Sequence, residues 1–176
     1  MWRAWSYCLH CQNKKNMIEK FSVVIVEDAR LELKGTEEIF RTELPQAEVI
    51  GTASNEKELD EVLARAVPDL LLLDLGLGGS TTVGVDICAR MKREHPQMKV
   101  LVFTGELLNE KLWVDVLDAG ADGITLKTGE LLTKHEIYNV MAGKRNVFNQ
   151  PVLEKLVERF RENVNRDAAR QKSLIH

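Results

Sequence analysis

Five polar residues, Glu27, Asp28, Asp74, Thr104 and Lys127, stand directly after short apolar runs. Phe21–Val26 ends at the pair Glu27-Asp28, Leu70–Leu73 at Asp74, Val100–Phe103 at Thr104, and Ile124–Leu126, interrupted by one threonine, at Lys127. Runs of this kind, spaced by helix-length segments, read as buried strands of a parallel sheet. Open parallel sheets bind ligands just beyond the carboxyl ends of their strands. The pattern therefore places three carboxylates, a hydroxyl and an ammonium at one end of one sheet. Carboxylates crowded together raise one another's proton affinity, and a bound divalent cation removes the conflict. Mg²⁺ suits such a site, because it takes oxygen ligands, few carboxylates and several waters. One Asp74 oxygen is then free to attack a phosphoryl group, as carboxylate nucleophiles do. The Lys127 ammonium and Thr104 hydroxyl are matched to the peripheral phosphoryl oxygens, and Gly105 leaves room and offers an N–H. Singly, each residue has an ordinary explanation: a loop acid or helix cap, a turn residue, a capping threonine, a surface lysine. The combination is far more specific than any member.

The elements that must position these groups alternate regularly. Strands are expected at 21–26, 47–52, 69–73, 99–103 and 122–126, and helices at 29–43, 56–66, 85–94, 108–118 and 130–141. Ser54 or Asn55 can cap the second helix and Pro68 ends it. Gly76, Gly78, Gly79 and Gly84 make a permissive loop after Asp74. Ala119-Gly120 closes the fourth helix. Right-handed crossovers would put helices on both faces of the sheet. Pro151 suits the first turn of a further helix, whose Val152, Leu153, Leu156, Val157 and Phe160 fall on one face.

The 176 residues suit one domain with appendages. No apolar stretch nears the roughly 18 residues of a membrane span, and three cysteines argue for a reducing compartment over a disulfide framework. A cytoplasmic protein is expected. Charge is uneven: residues 1–20 carry net +3, 21–141 net −10 and 142–176 net +4. The organisation expected is an N-terminal extension (1–20), with Met17 a natural start, then a globular body (21–141), then a linker with a C-terminal amphipathic helix and polar tail (142–176).

Segment 21–141 resembles a response-regulator receiver domain of two-component signalling. The resemblance rests on Val-Glu-Asp at 26–28, Leu-Leu-Leu-Asp-Leu at 71–75, Val-Phe-Thr-Gly at 102–105 and Ala-Gly-Ala-Asp-Gly-Ile-Thr-Leu-Lys at 119–127, with intervals of 46, 30 and 23 residues between Asp28, Asp74, Thr104 and Lys127. It implies an α/β fold, a doubly wound five-stranded parallel sheet of order 2-1-3-4-5, flavodoxin-like, with the extra C-terminal helix. It implies Asp74 as phosphoacceptor, Glu27 and Asp28 as the Mg²⁺-binding acids with the Gly76 carbonyl as a main-chain ligand, Thr104 as the switch hydroxyl and Lys127 as the phosphate-pairing lysine. The implied donor is a sensor histidine kinase or phosphotransfer protein, and the protein is expected to accept a phosphoryl group without being a turnover enzyme. Helix 108–118, strand 122–126 and helix 130–141 form the implied output and homodimer surface.

Three positions depart from the family pattern. Gly78 stands where proline is usual, Gly84 comes about two residues late, and Ile124 occupies the aromatic switch position. Lys127 is also followed by Thr128, where proline is common. Glu48–Asn55 and the stretch from Ala142 to Pro151 resemble the receiver and linker of NarL/LuxR-type transcription factors. Only 16 residues follow Phe160, too few for their helix-turn-helix domain, and a lone polar helix has no base-reading element. DNA binding by this chain is therefore not expected.

Other readings remain in view: a phosphorylation-independent receiver-like binding module, a truncated NarL/LuxR-type receiver, and a carboxylate-nucleophile phosphohydrolase. The last usually carries a second acid where this chain has Gly76. Cys8 and Cys11 lack a second ligand pair for zinc, and the 76–84 loop has no P-loop lysine.

Overall fold

The computed structural model describes residues 19–105, 110–127, 134–158 and 161–162. Along the chain lie β1 (Phe21–Val26), α1 (Arg30–Glu43), β2 (Ala47–Ala53), α2 (Glu56–Leu63), β3 (Leu70–Leu73), α3 (Thr81–Glu94), β4 (Lys99–Thr104), α4 (Glu110–Asp118), β5 (Gly123–Leu126), α5 (Lys134–Met141), β6 (Val147–Phe148) and a last helical stretch, α6, at 150–158. Residues 106–109 and 128–133, where α4 and α5 were expected to begin, lie outside the described residues, as do Cys8, Cys11 and Phe160.

The strands form one parallel sheet in the order β2-β1-β3-β4-β5-β6. Alternation along the strands divides the core into two layers. In β3, Leu71 and Leu73 face one layer with α2, α3, α4 and α6, while Leu70 and Leu72 face the other with α1 and α5. A strand covered on both sides has no polar alternation, which is why the leucine run reads as continuous. At α2, Asn55 is the residue that caps: its side chain accepts the Glu58 N–H at 3.0 Å, while Glu58 Oε2 accepts the Ser54 N–H at 2.7 Å. Helix α3 starts at Thr81, four residues earlier than expected, after a 3₁₀ turn at Leu77–Gly79.

The expected five strands are joined by a sixth. Val147 and Phe148 pair with Gly123 and Ile124, so the segment read as linker extends the sheet. Gly123 permits this, because a Cβ there would lie 2.6 Å from the Val147 carbonyl oxygen. Asn149 then fixes the next helix. Its amide donates to the Leu126 carbonyl at 3.1 Å, and its oxygen accepts the N–H groups of Leu126 and Val152, each at 3.3 Å. Along the apolar face of α6, Val152 is buried and Leu156 packs against the core, whereas Leu153 and Val157 are exposed. β5 itself is buried and interior, so it contributes no open surface between α4 and α5.

Candidate functional site

The parallel register fixes the tips of the strands. Val26 pairs with Leu73, and Leu73 with Val102. Hydrogen bonding continues one residue beyond each strand: the Glu27 N–H donates to the Ala53 carbonyl at 2.9 Å, the Asp74 N–H to Val26 at 2.9 Å, and the Lys127 N–H to Thr104 at 2.8 Å. The main chain therefore delivers Glu27, Asp28, Asp74, Thr104 and Lys127 to one end of the sheet. Carboxylate oxygens of Glu27, Asp28 and Asp74 all lie within 4.8 Å of one another. Lys127 sits against them, with its ammonium bonded to Glu27 Oε2 and 3.2 Å from Asp74 Oδ1. Thr104 is fully buried.

The acids have distinct settings. Asp74, 8% exposed, has its Oδ2 held by the Gly76 N–H at 3.0 Å, and its other oxygen faces Lys127. Burial pushes the Asp74 carboxyl above the ordinary aspartate range, and the Lys127 charge pulls it part-way back. Burial likewise raises Glu27, against hydrogen bonds from Lys127 and the Ala29 N–H. Burial alone would lower Lys127, but its carboxylate partners hold it above the usual lysine range. Asp28 is exposed, and its Oδ2 accepts the Gly78 N–H at 2.9 Å.

Of the remaining expected positions, Gly105 lies beside Lys127: a Cβ there would come 4.0 Å from the lysine Cδ, so the position is open. The Gly76 carbonyl, expected at the metal, accepts the Gly79 N–H at 3.0 Å and so closes the 3₁₀ turn; its second lone pair is left over. Ile124 is fully buried in the layer with Trp113 and Val116.

Two residues escaped the sequence reading, and a third, Gly84, reads there only as a loop glycine. Glu32, in the first turn of α1, reaches Lys127 at 2.6 Å. The Phe103 ring lies under the same ammonium, 5.4 Å from centroid to Nζ, a cation–π distance. Gly84 lets α3 approach the Asp74 backbone, since a Cβ there would meet Leu75 Cα at 2.6 Å and the Asp74 carbonyl oxygen at 3.0 Å. Glu32 left a signal, being an acid four residues after Asp28 at the start of a helix that leaves the site.

Residues 23–137 match the family model of the response regulator receiver domain. The chain belongs to the response-regulator receiver family. Similar curated proteins are regulators of the NarL/LuxR type. The transcriptional regulatory protein DegU of Brevibacillus brevis is 27% identical over 149 residues, covering 84% of this chain and 61% of that protein. The response regulator VraR of Staphylococcus aureus is 28% identical over 140 residues, covering 80% and 65%. The chain thus spans less than two thirds of the length of these relatives. The isolated receiver domain of RcsB from Salmonella enterica serovar Typhimurium, solved with the phosphomimetic BeF3⁻, shares the fold at a TM-score of 0.68 and 22% identity, covering 77% of this chain and 98% of that one. A LuxR-family regulator from Aurantimonas sp. SI85-9A1 does so at 0.69 and 19%, covering 81% and 99%.

The receiver departs from its family's pattern at Gly78 with a physical consequence. Its φ is +61°, which proline cannot adopt, and its N–H is the donor to Asp28, which proline would lack. The loop after Asp74 therefore gives one acid of the pair a main-chain partner.

Proposed function

We propose that this receiver is a phosphoacceptor response regulator that takes a phosphoryl group onto Asp74 in a Mg²⁺-dependent reaction. The observation that carries the reading is the convergence of three carboxylates and one lysine at the sheet end, with their oxygens within 4.8 Å of one another. Trans ligands of octahedral Mg²⁺ are about 4.2 Å apart and cis ligands about 3 Å, so these side chains fit the ion with small adjustments. Glu27, Asp28 and Asp74 would hold it, with the Gly76 carbonyl as a further oxygen. When bound, the ion offsets the crowded negative charge and draws charge from the phosphoryl oxygens.

The chain's own groups supply the rest. Asp74 is aimed by the Gly76 N–H. An Asp74 oxygen attacks phosphorus, and the O–P bond forms as the N–P bond of a donor phosphohistidine breaks. The imidazole leaves neutral when its other ring nitrogen carries a proton. Lys127 would supply the positive charge and Thr104 the hydrogen-bond donor that the peripheral oxygens need. The donor proposed is a sensor histidine kinase or phosphotransfer protein. The phosphoryl group adds charge and strong acceptors that can reorganise the ends of β4 and β5.

The test is labelling by acetyl phosphate in Mg²⁺, resolved on a Phos-tag gel. Wild type should give a shifted band that EDTA abolishes, and Asp74→Asn should give none. Equal labelling of Asp74→Asn would move the acceptor elsewhere.

Burial of Ile124 at the aromatic switch position favours a second reading, a receiver that signals by protein contact alone. On that reading, partner affinity would be the same with and without beryllofluoride.

A further inference from the structure

Lys127 has three ammonium hydrogens and three carboxylates around it. Two come from the strand ends, Glu27 and Asp74, both almost fully buried; the third is Glu32 at 2.6 Å, on α1, with its side chain 53% exposed. Glu27 and Glu32 accept hydrogen bonds from the ammonium, and Asp74 Oδ1 forms an ion pair with it at 3.2 Å. A phosphoryl group on Asp74 would draw the ammonium toward its own oxygens, in competition with the carboxylates that hold it now. Glu27 is held almost fully buried at the strand end, whereas Glu32 can turn to water from where it stands. Its charge is also an added negative charge beside a group that brings nearly two more. Helix α1 has no side-chain cap at Ala29, and Glu32 is the acid of its first turn. A plain helix-dipole role would account for an acid there, but not for its reach across to Lys127 just after β5.

We propose that Glu32 is a positioning residue that competes with the phosphoryl group for Lys127, and so acts as a built-in brake on occupancy of the phosphorylated state. The inference rests on Asp74 being the acceptor. Glu27, Asp28 and Asp74 keep the cation; Glu32 sets how readily the lysine is released.

The test compares wild type, Glu32→Gln, Glu32→Ala and Asp74→Asn at saturating Mg²⁺. Beryllofluoride affinity is measured by calorimetry and the initial rate of acetyl phosphate labelling on Phos-tag gels. Both Glu32 variants should bind beryllofluoride roughly three- to tenfold more tightly, the range expected from losing one partly exposed ion pair, and should label faster. The gain should shrink in high salt, because Glu32 is solvent-facing. Thermal unfolding should change little, where a purely structural role would move the melting temperature and leave affinity alone. Unchanged or weaker binding in Glu32→Gln, with wild type binding in an Asp74-dependent way, overturns the brake and leaves the phosphoacceptor reading standing. Wild type failing to bind, or Asp74→Asn binding as well, overturns both.

Discussion

Asparagine at position 74 removes a charge and almost no volume, so it isolates the electrostatics of the site. Asp74 has two carboxylates within 4.8 Å and one ammonium at 3.2 Å. With an effective dielectric of about 20, each repulsion at that distance amounts to about 3.5 kcal/mol and the attraction to about 5 kcal/mol. The balance is unfavourable by about 2 kcal/mol, and desolvation adds to it, while solvent at the rim reduces it. Asp74→Asn should therefore stabilise the metal-free protein at pH 7 by about 1–2 kcal/mol, or about 2–8 °C in Tm. The pH dependence has a definite sign. The folded carboxyl is raised above the ordinary value of 3.8, so the folded chain binds the proton more readily than the unfolded one. The advantage of asparagine is full above the raised pKa, fades as pH falls through it, and vanishes below about 3.8, where aspartate is neutral in both states.

Urea unfolding in EDTA across pH 4–8 measures this directly. Adding Mg²⁺ supplies the second half of the test. At 100 times its Kd a ligand contributes about 2.7 kcal/mol to the fold, so wild type should gain and Asp74→Asn should gain much less. If Asp74→Asn is less stable than wild type in EDTA at pH 7, the Lys127 pair dominates and the argument for an unsatisfied acidic cluster fails.

Lys127→Ala leaves Glu27 and Asp74 buried without their shared cation and should cost about 3 kcal/mol in the same assay; a loss under about 1 kcal/mol would mean that the carboxylates do not depend on it. Gly84→Ala drives a Cβ into the Leu75 backbone at 2.6 Å, which should cost about 2 kcal/mol and slow acetyl phosphate labelling by displacing Asp74. Asn149→Ala removes the cap of α6 and should cost about 1 kcal/mol, with faster hydrogen exchange at the Leu126 and Val152 amides as its signature.

What the sequence made legible follows from how each position is determined. A residue that ends a buried strand is located by chain order alone, so Glu27, Asp28, Asp74, Thr104 and Lys127 could be placed at one sheet end before any coordinates. The order of the central strands followed from the family resemblance. β6 was hidden because two residues show no period, and because the feature admitting it, the bare face of Gly123 against Val147, is an absence of side chain. Glu32 and Gly84 depend on how helices are rotated and how closely they approach. Periodicity gives the buried face of α1, through Ile39 and Phe40, but not which exposed acid reaches over the strand ends. Phe103 was assigned to the core as an apolar strand residue; its second role under Lys127 exists only once β4 and β5 are neighbours.

Two buried aspartates in this fold differ in how far their charge is met. Asp122, at the opposite end of the sheet, is 1% exposed. Its Oδ2 accepts the Lys92 ammonium at 2.9 Å and the Val100 N–H at 3.0 Å, and Lys99 stands 3.6 Å from Oδ1. Two cations and a main-chain donor serve one carboxylate, and the result ties α3, β4 and β5 together. At Asp74 the ratio is inverted: Lys127 is shared with Glu27 and Glu32, and Asp28 stands within the same cluster. A chain that satisfies one buried acid so fully has the means to satisfy another. Leaving the second short of positive charge costs stability, and a fold retains such a cost where ligand binding depends on it. The deficit is specific in kind. It calls for a compact divalent cation and is worsened by a phosphoryl group, so the two should bind to the site together and each should weaken when the other is withheld.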